Sequence, residues 1–295
     1  MLLPAGARCA ILTWFDTRGR TFPFRGVSDP YAILVSETMA QQTQIARASA
    51  KCTSFLARFP TVDALARAAP AEVLREWRGL GYNRRALNLH RAARVIVSEH
   101  GSRVPNDLAA LERLPGVGTY TARAVAALAF GRAVGPVDTN VRRVLGRIVG
   151  GAESPSDRDL QEIADAAAAS GRPADWTHAL MDLGATICRP TRPQCAGCPA
   201  RTWCQFAATG TAVSRTGPRI SPATRRPSFH TTARWLRGRL LDRLRDAPGE
   251  EWVQLVGPVG VHDAYAIGTA LRDMAAEGLV ERHPTDPLLA RLPPA

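Results

Sequence analysis

Leu114-Pro115-Gly116-Val117-Gly118-Thr119-Tyr120-Thr121-Ala122 is the stretch on which the reading of this chain turns. Two glycines flank one apolar residue directly before an alanine-rich run, a pattern that predicts a tight turn opening into a helix. In such a turn the backbone N–H groups of Gly116, Val117 and Gly118 can point outward together, and the helix N-terminus adds partial positive charge. That arrangement holds a phosphate oxygen without reading any base. A Gly-Val-Gly turn taken alone is more often only a turn. Here a carboxylate follows it, in Gly135-Pro136-Val137-Asp138-Thr139-Asn140-Val141-Arg142-Arg143. An isolated Asp before a helix is first of all an N-cap.

Outward from the hairpin the pattern is helical. Ile33, Leu34, Met39 and Ile45 fall at near-helical spacing, Val73, Leu74 and Trp77 follow Pro70, and Leu87, Leu89, Val95 and Ile96 follow Tyr82. Ser28-Asp29-Pro30, Phe59-Pro60-Thr61, Gly79-Leu80-Gly81 and Val104-Pro105-Asn106-Asp107 supply boundaries. A second helical stretch runs from Val137 to Cys188, including Asp157 to Ser170 and Trp176 to Thr186. The expected fold class is all-α. Residues 211–230, rich in Ser, Thr, Pro and Arg, predict a linker. Beyond it, stripes at Trp235, Leu236, Leu240, Leu241, Leu244 and at Ala266, Ile267, Ala270, Leu271, Met274, then a hairpin within Leu279 to Leu292, predict a small winged-helix-like domain over 231–295.

The 295 residues, 45% of them apolar, are enough for about two domains with real cores. Thirty-eight basic against twenty-six acidic residues leave a formal charge of +12, and Lys51 is the single lysine. Guanidinium suits bidentate phosphate contacts, and although a high-GC genome accounts equally well for the arginine bias, the surplus of charge points to a polyanionic partner. No window nears the roughly 18 apolar residues of a membrane span. The first sixteen residues lack a sustained apolar core, which predicts no signal peptide and a cytoplasmic setting.

Four of the six cysteines crowd together as Cys188-x6-Cys195-x2-Cys198-x5-Cys204. In a large chain without secretory features this reads as a metal site rather than a disulfide framework. Four thiolates can hold one zinc or a [4Fe-4S] cluster; a single knuckle with wide flanking steps favours the cluster's four separated irons. Cys9 and Cys52 read as ordinary packing residues.

Taken together, these features resemble the helix-hairpin-helix DNA glycosylases that carry an iron–sulfur loop, most closely the MutY adenine DNA glycosylases. The resemblance covers about residues 10–206. It rests on Val35-Ser36-Glu37-Thr38-Met39-Ala40-Gln41-Gln42-Thr43-Gln44, Gly79-Leu80-Gly81-Tyr82, Leu114 to Ala122, Val137 to Val144, Ala179-Leu180-Met181-Asp182-Leu183-Gly184-Ala185 and the four cysteines in order. It implies a glycosylase domain over 1–210, with a six-helix module at about 28–132 and an iron–sulfur module built from 1–27 and 133–210. It also implies a [4Fe-4S] cluster on Cys188, Cys195, Cys198 and Cys204, and a monomer acting on mismatched or 8-oxoguanine-containing duplex DNA at the bacterial nucleoid.

The chemistry explains why the resemblance needs two carboxylates. Breaking an N-glycosidic bond leaves positive charge on the sugar and needs a better leaving group than an adenine anion, so an acid must protonate the base while an anion faces the sugar cation. The resemblance implies Glu37 as that acid and Asp138 as that anion, with Tyr120 and Asn140 as supporting polar groups. Gln42 and Tyr82 match positions that intrude on the base stack, and Thr43 a contact to the opposing 8-oxoguanine. Gly116, Val117, Gly118, Arg189 and Arg192 match phosphate contacts. Apolar Ile33, Leu34 and Met39 around Glu37 predict a raised carboxyl pKa.

The chain departs from the family pattern where Leu-Pro-Trp-Arg is usual, reading Phe22-Pro23-Phe24-Arg25, and where Met-Leu-Gln-Gln-Thr is usual, reading Met39-Ala40-Gln41-Gln42-Thr43. Residues 231–295 are too few for the Nudix-like domain of many relatives. An endonuclease III-like lyase would need a lysine where Tyr120 stands. A thymine or uracil mismatch glycosylase of the same fold, or a non-catalytic iron–sulfur DNA-binding regulator, are the other readings.

Overall fold

The computed structural model describes residues 2–151, 153, 155–169, 171–209, 228–249 and 251–294. The predicted linker, 211–230, lies outside the described residues except for Ser228 to His230. In chain order the helices are α1 (Ala5–Arg18), α2 (Pro30–Ala40), α3 (Ile45–Arg58), α4 (Val62–Arg67), α5 (Pro70–Glu76), α6 (Arg84–His100), α7 (Leu108–Arg113), α8 (Thr119–Phe130), α9 (Thr139–Gly150), α10 (Asp157–Ala168), α11 (Pro173–Thr186), α12 (Gln205–Ala208), α13 (Ala233–Asp246) and α14 (Ala264–Ala276). None of the described helices is long and apolar enough to cross a membrane.

Local sequence accounts for most of these ends. Thr61 caps α4 by accepting from the Ala64 amide at 3.1 Å, Pro70 opens α5, Ser156 caps α10, and Gly101 and Gly131 close α6 and α8 in the left-handed region. One expectation is corrected. Met39 and Ile45 share an apolar stripe in the sequence, but the helix breaks between them: α2 stops at Ala40, Gln42 turns into the left-handed region at φ 53°, and α3 starts afresh at Ile45.

Contacts divide the chain into two compact units, Met1–Glu37 with Val104–Arg113 and Val117–Pro218, and Thr38–Arg103 with Leu114–Gly116 and Arg219–Ala295. The first is built on α9 and α11, whose facing residues Val141, Val144, Leu145, Ala179, Leu180 and Leu183 are all buried, with α1, α10 and the cysteine loop packed around them. The second centres on Trp77, Phe55 and Phe59, which meet edge to face with ring centroids 4.9 and 6.0 Å apart.

The C-terminal residues of the second unit form the expected winged-helix-like module. Its three short strands, β1 (Val253–Gln254), β2 (Glu281–Arg282) and β3 (Leu289–Arg291), pair antiparallel in the order β1-β3-β2 beside α13 and α14. Arg245, only 8% exposed, ties the module to α5 and α6. Its Nε donates to the Leu74 carbonyl at 2.8 Å and its guanidinium to Asn83 Oδ1 at 2.8 Å. Arg75 reaches the Ala247 carbonyl at 3.2 Å, and Arg78 pairs with Asp246 at 2.5 Å. Truncating Arg245 removes the donor from three acceptors, the Leu74 carbonyl, Asn83 Oδ1 and Asp242 Oδ1, the first of them on a buried residue. Arg245→Ala is therefore expected to lower unfolding free energy by about 2–3 kcal/mol, measured by denaturant titration, whereas a surface change such as Arg239→Ala should move it by under about 0.5 kcal/mol.

Candidate active site and cysteine pocket

Glu37 sits on the last full turn of α2, between buried Ser36 and Thr38 and next to the fully buried Val35 and Met39. The residue keeps some exposed surface, but protein crowds its carboxyl. Burial pushes that carboxyl up to about 7; a hydrogen bond from Tyr120 works against the shift, and the nearby Asp138 charge adds to it. Tyr120, on the first turn of α8, donates its hydroxyl to Glu37 Oε2 at 3.3 Å and lies 4.0 Å from Met181 Sδ on α11. Burial, then the Glu37 and Asp138 charges, hold the phenol well above its usual range, so it stays a donor.

Asp138 is indeed the N-cap of α9. One carboxylate oxygen accepts from the amides of Asn140 and Val141 at 2.9 and 2.7 Å, and the other accepts from Asn140 Nδ2 at 3.0 Å. Asn140 in turn accepts from Arg143 at 2.7 Å, while Arg143 donates to the carbonyls of Gly184 and Cys188 at 2.8 and 2.7 Å. A Cβ on Gly184 would stand 2.7 Å from Asn140 Cβ, so glycine is what lets α11 approach α9 here. Glu37, Tyr120, Asp138 and Asn140 all belong to the first unit.

Cys188, Cys195, Cys198 and Cys204 line one pocket, together with Val144, Ile148, Leu183, Ile187 and Phe206. Among the described residues no three His, Cys, Asp or Glu side chains are arranged to hold a metal ion. Arg147 faces this pocket: it donates to Cys188 Sγ at 3.4 Å and to the carbonyls of Arg189 and Pro190 at 2.8 and 3.1 Å. The Arg189 and Arg192 side chains are exposed, and Arg192 is left-handed at φ 54°.

At the hairpin, Gly116 has φ 77°, and a Cβ there would lie 2.6 Å from Asn88 Cβ. Gly118, by contrast, has nothing within 4 Å of a Cβ position, so its backbone faces open space. Val117 is buried.

The second unit holds the remaining sequence-derived candidates. Gln42 and Tyr82 line one groove, both left-handed, at φ 53° and 46°. Thr43 accepts from Arg85 at 3.2 Å.

Two groups with site-shaping roles were not legible in sequence. Arg85 donates to the carbonyls of Thr38 and Met39 at 2.8 and 3.2 Å, to that of Gln41, and to those of Leu80 and Gly81 at 3.2 and 3.1 Å, so one guanidinium sets both the Gln41–Thr43 and Leu80–Tyr82 turns. Asp182, with its side chain 0% exposed, accepts from the Arg20 amide and Nε at 2.8 Å and from both terminal nitrogens of Arg25 at 2.7 Å. Burial alone would raise its pKa; the Arg25 and Arg20 bonds outweigh that and hold it below the usual carboxylate range. This clamp anchors the unusual Phe22-Pro23-Phe24-Arg25 segment, in which the two rings stack at 5.8 Å. No local signal announces a contact between residues 157 and 162 positions apart.

The carboxyl of Glu37 makes a stability test possible. Its folded pKa lies above the unfolded value, so the folded protein keeps a proton that the unfolded chain loses between pH 4.5 and about 7. Its ionisation therefore costs stability progressively across that window. Glu37→Gln should be more stable than the parent at pH 8 by on the order of 3 kcal/mol, with the gap closing toward pH 4.5 in paired thermal or urea titrations.

Residues 35–168 match the HhH-GPD superfamily of base excision DNA repair proteins. An adenine DNA glycosylase of Mycolicibacterium smegmatis is 42% identical over 92% of this chain and 92% of its own length. The adenine DNA glycosylase of Homo sapiens is 40% identical over 67% of this chain and 39% of its own. Among solved structures, a thermostable thymine-DNA glycosylase superposes with a TM-score of 0.65 at 32% identity, over 68% of this chain and 95% of that one. With the HhH-GPD match and with likeness to an adenine DNA glycosylase running over 92% of its length, the chain belongs to the MutY-type adenine DNA glycosylases of the HhH-GPD superfamily.

Proposed function

We propose that this protein excises adenine mispaired with 8-oxoguanine or guanine from duplex DNA by hydrolysing its N-glycosidic bond, as a monofunctional glycosylase. The observation that carries the reading is the pairing within one unit of a carboxyl raised to about 7 with a second carboxylate fixed by three donors. A general acid is most effective when its pKa lies near the working pH, and Glu37 meets that condition by burial. Protonated, it delivers its proton to the adenine; ionised after departure, it is positioned to orient the attacking water. Tyr120 holds the Glu37 carboxyl by a hydrogen bond. Asp138 presents negative charge to the oxocarbenium-like sugar, and Asn140 fixes the carboxylate's rotamer.

The protein acts as a monomer on bacterial chromosomal DNA. The backbone amides of Gly116, Val117 and Gly118 and the side chains of Arg189 and Arg192 take phosphates; Gln42 and Tyr82 offset the cost of unstacking the flipped nucleotide, and Thr43 faces the opposing base.

The cysteine pocket suits a [4Fe-4S] cluster. Four thiols around one apolar pocket are a donor set for four separated irons, and Arg147 offsets negative charge at Cys188. When bound, the cluster supplies cross-linking of the loop Cys188 to Cys204 through metal–thiolate bonds. Purified protein should be yellow-brown, with broad absorbance near roughly 400 nm and about four irons per chain; one zinc and no colour overturns the assignment.

Asp138→Asn tests the chemistry. Asparagine retains an oxygen for the two amide donors of α9, so the cap survives while the charge goes. Single-turnover release of adenine opposite 8-oxoguanine should fall on the order of a hundredfold or more, with duplex binding as tight as the parent or tighter. Near-normal turnover returns Asp138 to a helix cap. Because a thymine-DNA glycosylase shares the fold, substrates with T or U opposite G belong in the same panel, and preferential excision there replaces adenine as the target.

A further inference from the structure

α13 forms one wall of a groove of about 930 Å3 in the second unit. The opposite side carries Gln42, Arg47, Tyr82 and Arg84, and α13 adds Arg234 and Arg239. Some of this positive charge is already neutralised: Arg237 pairs with Glu277 at 2.6 Å and Arg239 with Asp242 at 2.7 Å. Arg47, Arg84 and Arg234 are exposed, and among the described residues none of the three has a carboxylate partner. Three unpaired guanidiniums around a concave surface repel one another unless an anion lies between them.

The aromatic at the rim gives a second, independent observation. Tyr82 is 44% exposed and left-handed, and the Arg234 guanidinium sits 4.5 Å from its ring centroid. The stack spans two distant parts of the chain and restricts where that cation can stand. Gln42 on the same groove is also left-handed, and a backbone strained at two non-glycine positions persists only where surrounding contacts impose it. Arg85 supplies those contacts from beneath.

We infer that α13 is part of the DNA-binding surface, and that Arg234 of the C-terminal module, placed by its stack on Tyr82, contacts the phosphodiester backbone of duplex DNA lying in this groove together with Arg47 and Arg84. A continuous polyanion fits the three separated, unpaired cations better than a small anion does, and an exposed aromatic beside basic side chains is the lining that nucleic-acid channels share.

The inference rests on the protein being a DNA glycosylase but not on its excision chemistry, so the test uses an undamaged duplex, which has nothing to excise. Full-length parent, Arg234→Ala, Arg234→Lys, Arg47→Ala and Arg84→Ala are titrated with it over a range of salt concentrations. Removal of one phosphate contact lowers the slope of log K against log salt by about 0.9. Arg234→Ala should show that drop with several-fold weaker binding at low salt and an unchanged melting temperature; Arg234→Lys should keep the parental slope. A parental slope in Arg234→Ala overturns the inference, whether or not Arg47→Ala and Arg84→Ala lower theirs. Should Arg234→Ala melt early, Arg234→Gln is read in the same way. Failure of adenine release with the slope change present would refute the excision reading and leave this one standing.

Discussion

The carboxylate of Asp138 is held by the backbone of the helix it caps. As the cap of α9 it must accept from the Asn140 and Val141 amides, and those bonds set the rotamer in which its charge is presented. Arg143 extends this network, donating to Asn140 Oδ1 and to the carbonyls of Gly184 and Cys188. The first turn of α9, the end of α11 and the start of the cysteine loop are therefore held in one register. A shift of α9 by a single residue would uncap the helix and remove the acceptor from Arg143, so the cap fixes where the carboxylate stands.

Two buried carboxyls with opposite shifts complete the scaffold. Glu37 lies where removal from water favours its neutral form, and the single hydroxyl from Tyr120 is too little to reverse that. Asp182 is also buried and goes the other way, because two arginines deliver donors in bidentate geometry. Burial penalises both charges; the number of donors decides which carboxyl ionises.

The arginine surplus divides along the same line. Arg85 and Arg245 turn inward and spend their donors chiefly on backbone carbonyls, with Thr43, Asn83 and Asp242 taking the rest, where loops or helix ends would leave those acceptors bare. Arg25 closes on a buried carboxylate. The cations left for a polyanion are therefore fewer than the composition suggests, and they are the unpaired, exposed ones. Planar guanidinium with five donors serves both tasks, and its fork reaches several acceptors at once where a lysine ammonium has three donors on one atom.

The sequence by itself determined the helical class, most helix ends, the hairpin turn and the order in which acid, hairpin, second carboxylate and cysteines follow one another. These depend on local rules: periodicity, caps, positive-φ glycines and ligand spacing act within a few residues, and Ser156, Gly116 and the Cys195–Cys198 pair display them openly. Even there, the apolar stripe through Met39 and Ile45 misled, because spacing carries no record of the turn that Arg85 imposes between them. Only the tertiary structure decided the rest. The raised carboxyl of Glu37 depends on how much protein surrounds it, the Asp182 clamp joins residues about 160 positions apart, and the stack of Arg234 on Tyr82 joins segments further apart in sequence than any helix or hairpin spans. Burial and long-range pairing are properties of the packed chain, and no local pattern encodes them.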